Sequence, residues 1–293
     1  MHHHKKGRTI VLASRYNLNH HPPPDAPPGT KFAAAQMTFG GFGVTAAPVI
    51  QRLGLEVVLM GRVTPGLAPW VELAMGQGIM SRMQAVHGPD ANNAMLEQSR
   101  IMRITRGPRY APNKEDADVL TELRPRAIVL GGGIDEDYAS MLCEYASAMG
   151  ILLFLNPNPG LDLRVADVGC KFVLQVSFVE FENGDASPAH LARRLLAQCA
   201  ATVVIVTNAE AGAWAVDRKA PGVVLHAPAI PIADPVRHIG AGDAFFGGVV
   251  PTYLDAPATI RLERSLHVGT LTAGMHVTGL APGDWTDLAR FAA

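Results

Sequence analysis

The sequence predicts an α/β fold with a mainly parallel central sheet covered by helices on both faces. Three observations carry that expectation. Short apolar runs rich in Val, Ile and Leu alternate with helical segments along most of the 293 residues. The runs are apolar at consecutive positions, as strands buried on both sides are. Several end in glycine- or asparagine-rich turns, and sheets of this class bind ligands at the carboxyl ends of their strands.

In chain order, Thr9–Ser14 (TIVLAS) reads as the first strand. Pro22, Pro23, Pro24, Pro27 and Pro28 break regular structure, and Gly29 completes a turn. Phe32–Phe39 suits an extended piece. A helix follows and stops at Gly54; Pro48 within it predicts a late start or a bend. Glu56–Met60 is the next strand. From Met80 to Arg126 the pattern weakens, and Arg100, Arg103, Arg106 and Arg109 read as a solvated surface or flap. Ala127–Leu130 is a strand ending at Gly131–Gly133, and Tyr138–Met149 a helix. Ile151–Leu155 is a strand that runs into Asn156-Pro157-Asn158-Pro159-Gly160, and Phe172–Val176 is another. The helix Pro188–Ala200 leads into the strand Thr202–Thr207. Trp214–Asp217 and Val223–His226 form a short antiparallel pair. The last third carries a glycine turn at Gly240–Gly242, a helix after it and a second helix over Arg261–Val277. No repeat, linker or boundary divides the chain, so a single domain over 1–293 is expected.

Composition narrows the function. Against 25 Lys plus Arg stand 26 Asp plus Glu, a net charge of −1, which excludes a nucleic-acid binder held by bulk charge. Charged residues make up 17% and hydrophobic residues 48%, enough for a large core and incompatible with intrinsic disorder. The stretch Phe32–Gln51 is uncharged but contains Gln36, Thr38, Gly40, Gly41, Gly43, Thr45 and Pro48, so no membrane span is expected. The apolar run Ile10–Ala13 is too short for a signal-peptide core. Cys143, Cys170 and Cys199 are odd in number and lack CxxC spacing; three buried thiols in a reducing, cytoplasmic setting are expected.

The chemistry concentrates in Ile239-Gly240-Ala241-Gly242-Asp243-Ala244-Phe245-Phe246-Gly247-Gly248. Small residues let the backbone approach a ligand, and the apolar residues that follow suit a helix packed on a sheet. Gly240, Ala241, Gly242 and Asp243 then sit at a helix N-terminus, where unpaired N–H groups and the helix dipole favour an anion. A carboxylate in that first turn either caps the helix or takes a proton from a substrate hydroxyl. The segment lacks the Lys-Ser/Thr pair of a P-loop.

GAGDAFFGG resembles the C-terminal signature of the ribokinase-like (PfkB) family of sugar and nucleoside kinases, in which the aspartate is the catalytic base. Phe39-Gly40-Gly41-Phe42-Gly43, followed by Arg52-Leu53-Gly54, is similar to the family's N-terminal signature. Asn17 and Asn19 fall where the family places residues that bind sugar hydroxyls. Asn156-Pro157-Asn158-Pro159 resembles its strand-end turn, Ser177-Phe178-Val179-Glu180 its NxxE motif, and Thr207-Asn208-Ala209-Glu210-Ala211-Gly212 its T-x-G-x-x-G segment.

The resemblance implies a three-layer ribokinase-like sandwich with a small β lid, in segments 15–39 and 95–110. It implies ATP-dependent transfer of the γ-phosphoryl group to a sugar or nucleoside, with Asp243 as base. Asn17, Asn19, Gly40, Gly41, Phe42 and Thr45 would line the acceptor site, and Thr207, Ala209, Gly212 and Arg237 the nucleotide site. Mg2+ would be organised by Glu180 through water. Some family members also use potassium and form homodimers through the lid.

The chain departs from the family at several places. Arg237, His238 and Ile239 stand where D-T-x is usual, Thr45 replaces an asparagine, Ser177 the NxxE asparagine and Ala209 a glycine. Gly61-Arg62-Val63-Thr64-Pro65 replaces a G-D pair. Phe42 suits either stacking on an acceptor or core packing. The alternative to a kinase is a binding or regulatory protein of the same fold with weak phosphotransfer.

Overall fold

The structure, a computed structural model, describes residues 7–21, 36–75, 78–87, 92–97, 100–105, 111–157, 163 and 169–280. Its centre is a nine-stranded sheet. β1 (Thr9–Ala13) pairs in parallel with β4 (Glu56–Val63) on one side and with β8 (Ala127–Leu130) on the other. Beyond β4 lies the parallel edge strand β5 (Met80–Ala85). Beyond β8 follow β9 (Leu152–Leu155), β10 (Phe172–Ser177) and β11 (Val203–Thr207), all parallel. β12 (Ala213–Asp217) and β13 (Leu225–Ala227) complete that side as the expected antiparallel pair. Between β1 and β8 in the chain come β2 (Asn17–His21), β3 (Gln36–Gly40), β6 (Asn92–Glu97) and β7 (Arg100–Thr105). They form a separate four-stranded sheet, ordered β3-β2-β6-β7.

Why the strands read as continuous apolar runs is visible in β1, where all five residues are buried. Successive side chains point to opposite faces. Ile10 and Leu12 enter one core, against α1 (Phe42–Arg52), α7 (Ala241–Asp255) and α8 (Arg261–Val277). Val11 and Ala13 enter the other, against α3 (Lys114–Leu123), α4 (Glu136–Met149) and α6 (Pro188–Gln198). Each fully buried aliphatic side chain contributes roughly 1.5–3 kcal/mol, so both layers are needed. Local chemistry sets the helix starts. The Ser187 hydroxyl accepts from the His190 N–H at 3.2 Å and Pro188 occupies the first turn of α6. Asn113 and Asp116 form a reciprocal capping box on α3.

Two expectations are corrected. α1 starts at Phe42 and carries Pro48 inside it, so the proline does not delay the helix. Burial of Ala46, Ala47 and Ile50 in the core beside the sheet, and of Val49 against α7, outweighs the missing hydrogen bond. The stretch from Met80 is not simply surface: β5 extends the main sheet, and α3 covers it. Residues 22–35 and 98–99, with Arg106 and Arg109, lie outside the described residues, as does Asn158 of the asparagine-proline turn. The three cysteines are buried and form no disulfide among the described residues. Among the described residues no helix is long and apolar enough to cross a membrane.

Arg62, read as a departure in sequence, is a core residue. It forms a bidentate pair with Asp116 at 2.6 and 3.0 Å and also donates to the Ala111 carbonyl at 2.8 Å. The Tyr138 hydroxyl donates to the same carboxylate at 3.1 Å. Arg62 and Asp116 are 3% and 1% exposed. Removing one partner of such a pair strands the other charge. Asp116→Ala is expected to lower unfolding free energy by about 3–5 kcal/mol in a denaturant titration. Asp255→Ala, which breaks the exposed pair with Arg126, should cost under about 1 kcal/mol.

Candidate active site

The strand order reverses beside β1. The chain moves outward from β1 to β4 and β5, then returns to β8 and continues to β9, β10 and β11. The carboxyl ends of β1 and β8 therefore border the crevice where such sheets bind ligands. The Gly131 N–H donates to the Ala13 carbonyl at 2.8 Å, closing the crevice floor. Gly41 has φ 113°, and a Cβ there would lie 2.3 Å from the Arg15 carbonyl oxygen. Only glycine lets α1 begin against the end of β1. One residue earlier, Gly40 ends β3 opposite Asn17, and Asn19 pairs with Thr38. Asn17, Gly40 and Gly41 thus meet where the small sheet joins α1.

Phe42 is 5% exposed, its ring edge-on to Phe246 at 6.1 Å and packed against Gly131. It belongs to the core cluster on that face of the sheet. Thr45, one turn further along α1, is half-buried and reaches Gly240.

A polar chain crosses the carboxyl ends of β9, β10 and β11. The Asn156 side-chain amide donates to Gln175 Oε1. The Gln175 amide donates to Thr207 Oγ1 at 3.3 Å, and that hydroxyl donates to the Val176 carbonyl at 3.3 Å. Gln175 was not anticipated; its one signal is a lone polar residue inside the apolar run FVLQVS. After Thr207 the chain makes a 3₁₀ turn over Ala209–Ala211, closed by the Gly212 N–H on the Ala209 carbonyl at 3.1 Å. Ala209 has φ 41°, the left-handed region that favours glycine.

At the start of α7, Gly240 has φ 90° and ψ 0°, and the first helical bond runs from the Ala244 N–H to the Gly240 carbonyl at 2.8 Å. Four amides were expected to be available here. The Ala241 N–H is taken by the His238 carbonyl at 3.2 Å, because residues 238–241 close a tight turn. The N–H groups of Gly240, Gly242 and Asp243 find no protein acceptor among the described residues. The half-buried Asp243 carboxylate accepts no hydrogen bond from them either. Desolvation first, and the negative charge of Glu180 second, push its pKa up to about 6. Glu180, in the short helix α5 (Phe178–Phe181), is exposed, yet the surrounding chain raises its pKa by desolvation. Arg237 and His238 are exposed; the Arg237 N–H is fixed on the Val277 carbonyl at 3.1 Å.

The arrangement offers helix-terminal donors for an anion beside a carboxylate poised to accept a proton. Among the described residues no group of three His, Cys, Asp or Glu could hold a metal ion. Two mutually repelling carboxylates, Asp243 and Glu180, suit a divalent cation held mainly by phosphate oxygens and water.

A family model for pfkB family carbohydrate kinases matches residues 81–285, well over half of the chain. The chain belongs to the pfkB family. Members of this family are phosphotransferases with an alcohol acceptor, and the chain is a sugar or nucleoside kinase in that broad sense. No curated protein matches the sequence. Solved structures of the same fold include an Arabidopsis thaliana ribokinase complexed with ribose and ATP. It is 15% identical with a TM-score of 0.72, over 98% of this chain and 99% of that one. The adenosine kinase of Sinorhizobium meliloti is 17% identical with a TM-score of 0.75, over 98% and 100%. The tetrameric inhibited form of Escherichia coli phosphofructokinase-2 is 18% identical with a TM-score of 0.73, over 98% and 99%. At these identities the likeness establishes the ribokinase-like sandwich.

Two outcomes follow for this pfkB protein. Ala209→Gly relieves a left-handed alanine that costs roughly 1–2 kcal/mol, against a glycine entropy cost of about 0.5–1. A rise in melting temperature of about 1–3 °C is expected by calorimetry. Asp243 protonates at about 6 when folded, against 3.8 as its ordinary value. Its ionisation therefore destabilises the fold as pH rises from about 4 to 6. Asp243→Asn should be more stable than wild type at pH 8, by on the order of 1–3 kcal/mol, and lose that advantage at pH 4.

Proposed function

We propose that this chain transfers the γ-phosphoryl group of ATP to a hydroxyl of a sugar or nucleoside, with Asp243 as general base. The observation that carries this reading is the pairing at the start of α7. Unpaired N–H groups of Gly242 and Asp243 adjoin a carboxylate with no hydrogen-bond partner of its own among the described residues. The likeness to a ribokinase that holds ribose and ATP supports it.

In this mechanism Asp243 accepts the proton of the acceptor hydroxyl. A pKa near 6 leaves it mostly ionised at neutral pH, and more basic than an ordinary aspartate. The amides of Gly240, Gly242 and Asp243 stabilise the charge that builds on the transferring group. ATP with Mg2+ supplies that phosphoryl group and shields its charge. Glu180 orients water near the cation. Asn17, Asn19, Gly40, Gly41 and Thr45 bind the acceptor, with Phe42 supporting that wall from the core. Thr207, Ala209, Gly212 and Arg237 line the nucleotide side. The small sheet acts as a lid that excludes water, in a single-domain protein. Homodimer formation through that sheet and a cytoplasmic location, where ATP is supplied, accord with this reading.

The test is phosphotransfer from ATP with Mg2+ across a panel of sugars and nucleosides. Asp243→Asn should lose about 10²–10⁴-fold in kcat. Wild-type kcat/KM should rise with unit slope as pH increases through about 6 and then level off, since only the ionised base acts. Equal turnover by the two proteins removes Asp243 from the mechanism. Acceptor binding without turnover on the whole panel would favour the binding-protein alternative.

A further inference from the structure

His276 lies on α8 and is 4% exposed. Its Nε2 is 2.8 Å from the carbonyl oxygen of Ile239, the residue before Gly240. A carbonyl only accepts, so Nε2 carries the proton and donates. Burial is the main influence holding this imidazole below its usual pKa; the bond to Ile239 opposes it and the nearby Arg237 charge adds to it. The ring is therefore neutral at physiological pH, with its proton on Nε2.

We propose that His276 is a positioning residue, which aims the amides at the start of α7 by holding the Ile239 carbonyl. The inference rests on the phosphoryl-transfer reading above. No cis peptide occurs among the described residues, so the Ile239–Gly240 unit is planar and trans. Its carbonyl and the Gly240 N–H point in opposite directions. Anchoring the oxygen on α8 turns that N–H away from α8. The next residues begin the helix, so the orientation of this unit passes on to the amides of Gly242 and Asp243. Gly240 has little room to drift. A Cβ on it would lie 3.0 Å from Thr45 Oγ1 on α1 and 3.1 Å from His276 Nε2 on α8.

The bond is not needed to hold the helices together. Phe245 and Leu266 pack in the shared core, and the Thr272 hydroxyl donates to the Ala244 carbonyl at 2.8 Å. His276 acts beyond that contact, on the loop that precedes α7. Misplacing reacting groups by about 1 Å can cost on the order of 10²-fold in rate, so a small drift of this loop is enough to register.

The experiment compares His276→Gln, which keeps an N–H at similar reach, with His276→Phe, which keeps a ring but no donor. Kinetic constants, melting temperature and ADP affinity are measured for both, with Asp243→Asn alongside. The Phe variant is expected to lose about 10- to 100-fold in kcat, while its acceptor KM stays within about threefold. The Gln variant is expected to recover kcat to within about threefold of wild type. Long-range 15N spectra of the wild type should show the Nε2-protonated neutral ring at pH 7, a readout that holds even where a variant fails to fold. Wild-type kcat in the Phe variant, equal impairment of both variants, or an Nδ1-protonated ring overturns the proposal. If Asp243→Asn is inactive while His276→Phe keeps full kcat, the role of His276 alone falls. Full phosphotransfer by Asp243→Asn removes Asp243 as the base, whereas absence of turnover by the wild type on the whole acceptor panel removes the phosphoryl-transfer reading and this proposal together.

Discussion

The start of α7 is gripped from two sides, and the arrangement of the candidate site depends on that grip. Gly240 turns with φ 90° in a gap between Thr45 on α1 and His276 on α8, where a methyl group would strain the packing. The turn consumes one amide, that of Ala241, and leaves those of Gly242 and Asp243 unpaired at the positive end of a helix. A shift of either flanking helix would move these donors. α1 is held in turn by Gly41 against β1 and by Phe42 against Phe246 and Gly131. The two glycine signatures, far apart in sequence, are thus mechanically one unit.

Two aspartates show how differently the fold can surround the same side chain. Asp116 is enclosed and fully engaged, by the Arg62 guanidinium, the Tyr138 hydroxyl and the backbone of its own capping box. Asp243 is given no donor by the described residues and is raised in pKa by its surroundings and by Glu180. A carboxylate left in that condition destabilises the fold when ionised. Its unmet need for a proton or a cation is the physical feature on which the proposed role of the start of α7 rests.

Much of the fold was legible in sequence. Strands buried on both faces, such as β1, β8 and β11, announce themselves as apolar runs, and α8 coincides with the expected Arg261–Val277. β5 was not legible, because MSRMQA is an edge strand whose polar residues face outward and whose pairing lies with β4, some twenty residues earlier. The late start that Pro48 suggested does not occur, for a related reason: tertiary burial keeps α1 helical where local propensity opposes it. Within the candidate site, the glycine turn and the helix start at Gly240–Asp243 could be read from the sequence. Gln175 and His276 could not, because their partners Asn156, Thr207 and Ile239 are joined to them only by the folded chain. Ala209 was visible as a departure, but its left-handed backbone was not.

The most direct measurement is a crystal structure with ADP, Mg2+, aluminium fluoride and an accepted sugar or nucleoside. The account predicts the planar fluoride about 3 Å from the amide nitrogens of Gly242 and Asp243, with the acceptor hydroxyl within about 3.2 Å of the Asp243 carboxylate. A fluoride seated away from α7, or an Asp243 side chain facing neither ligand, would contradict it.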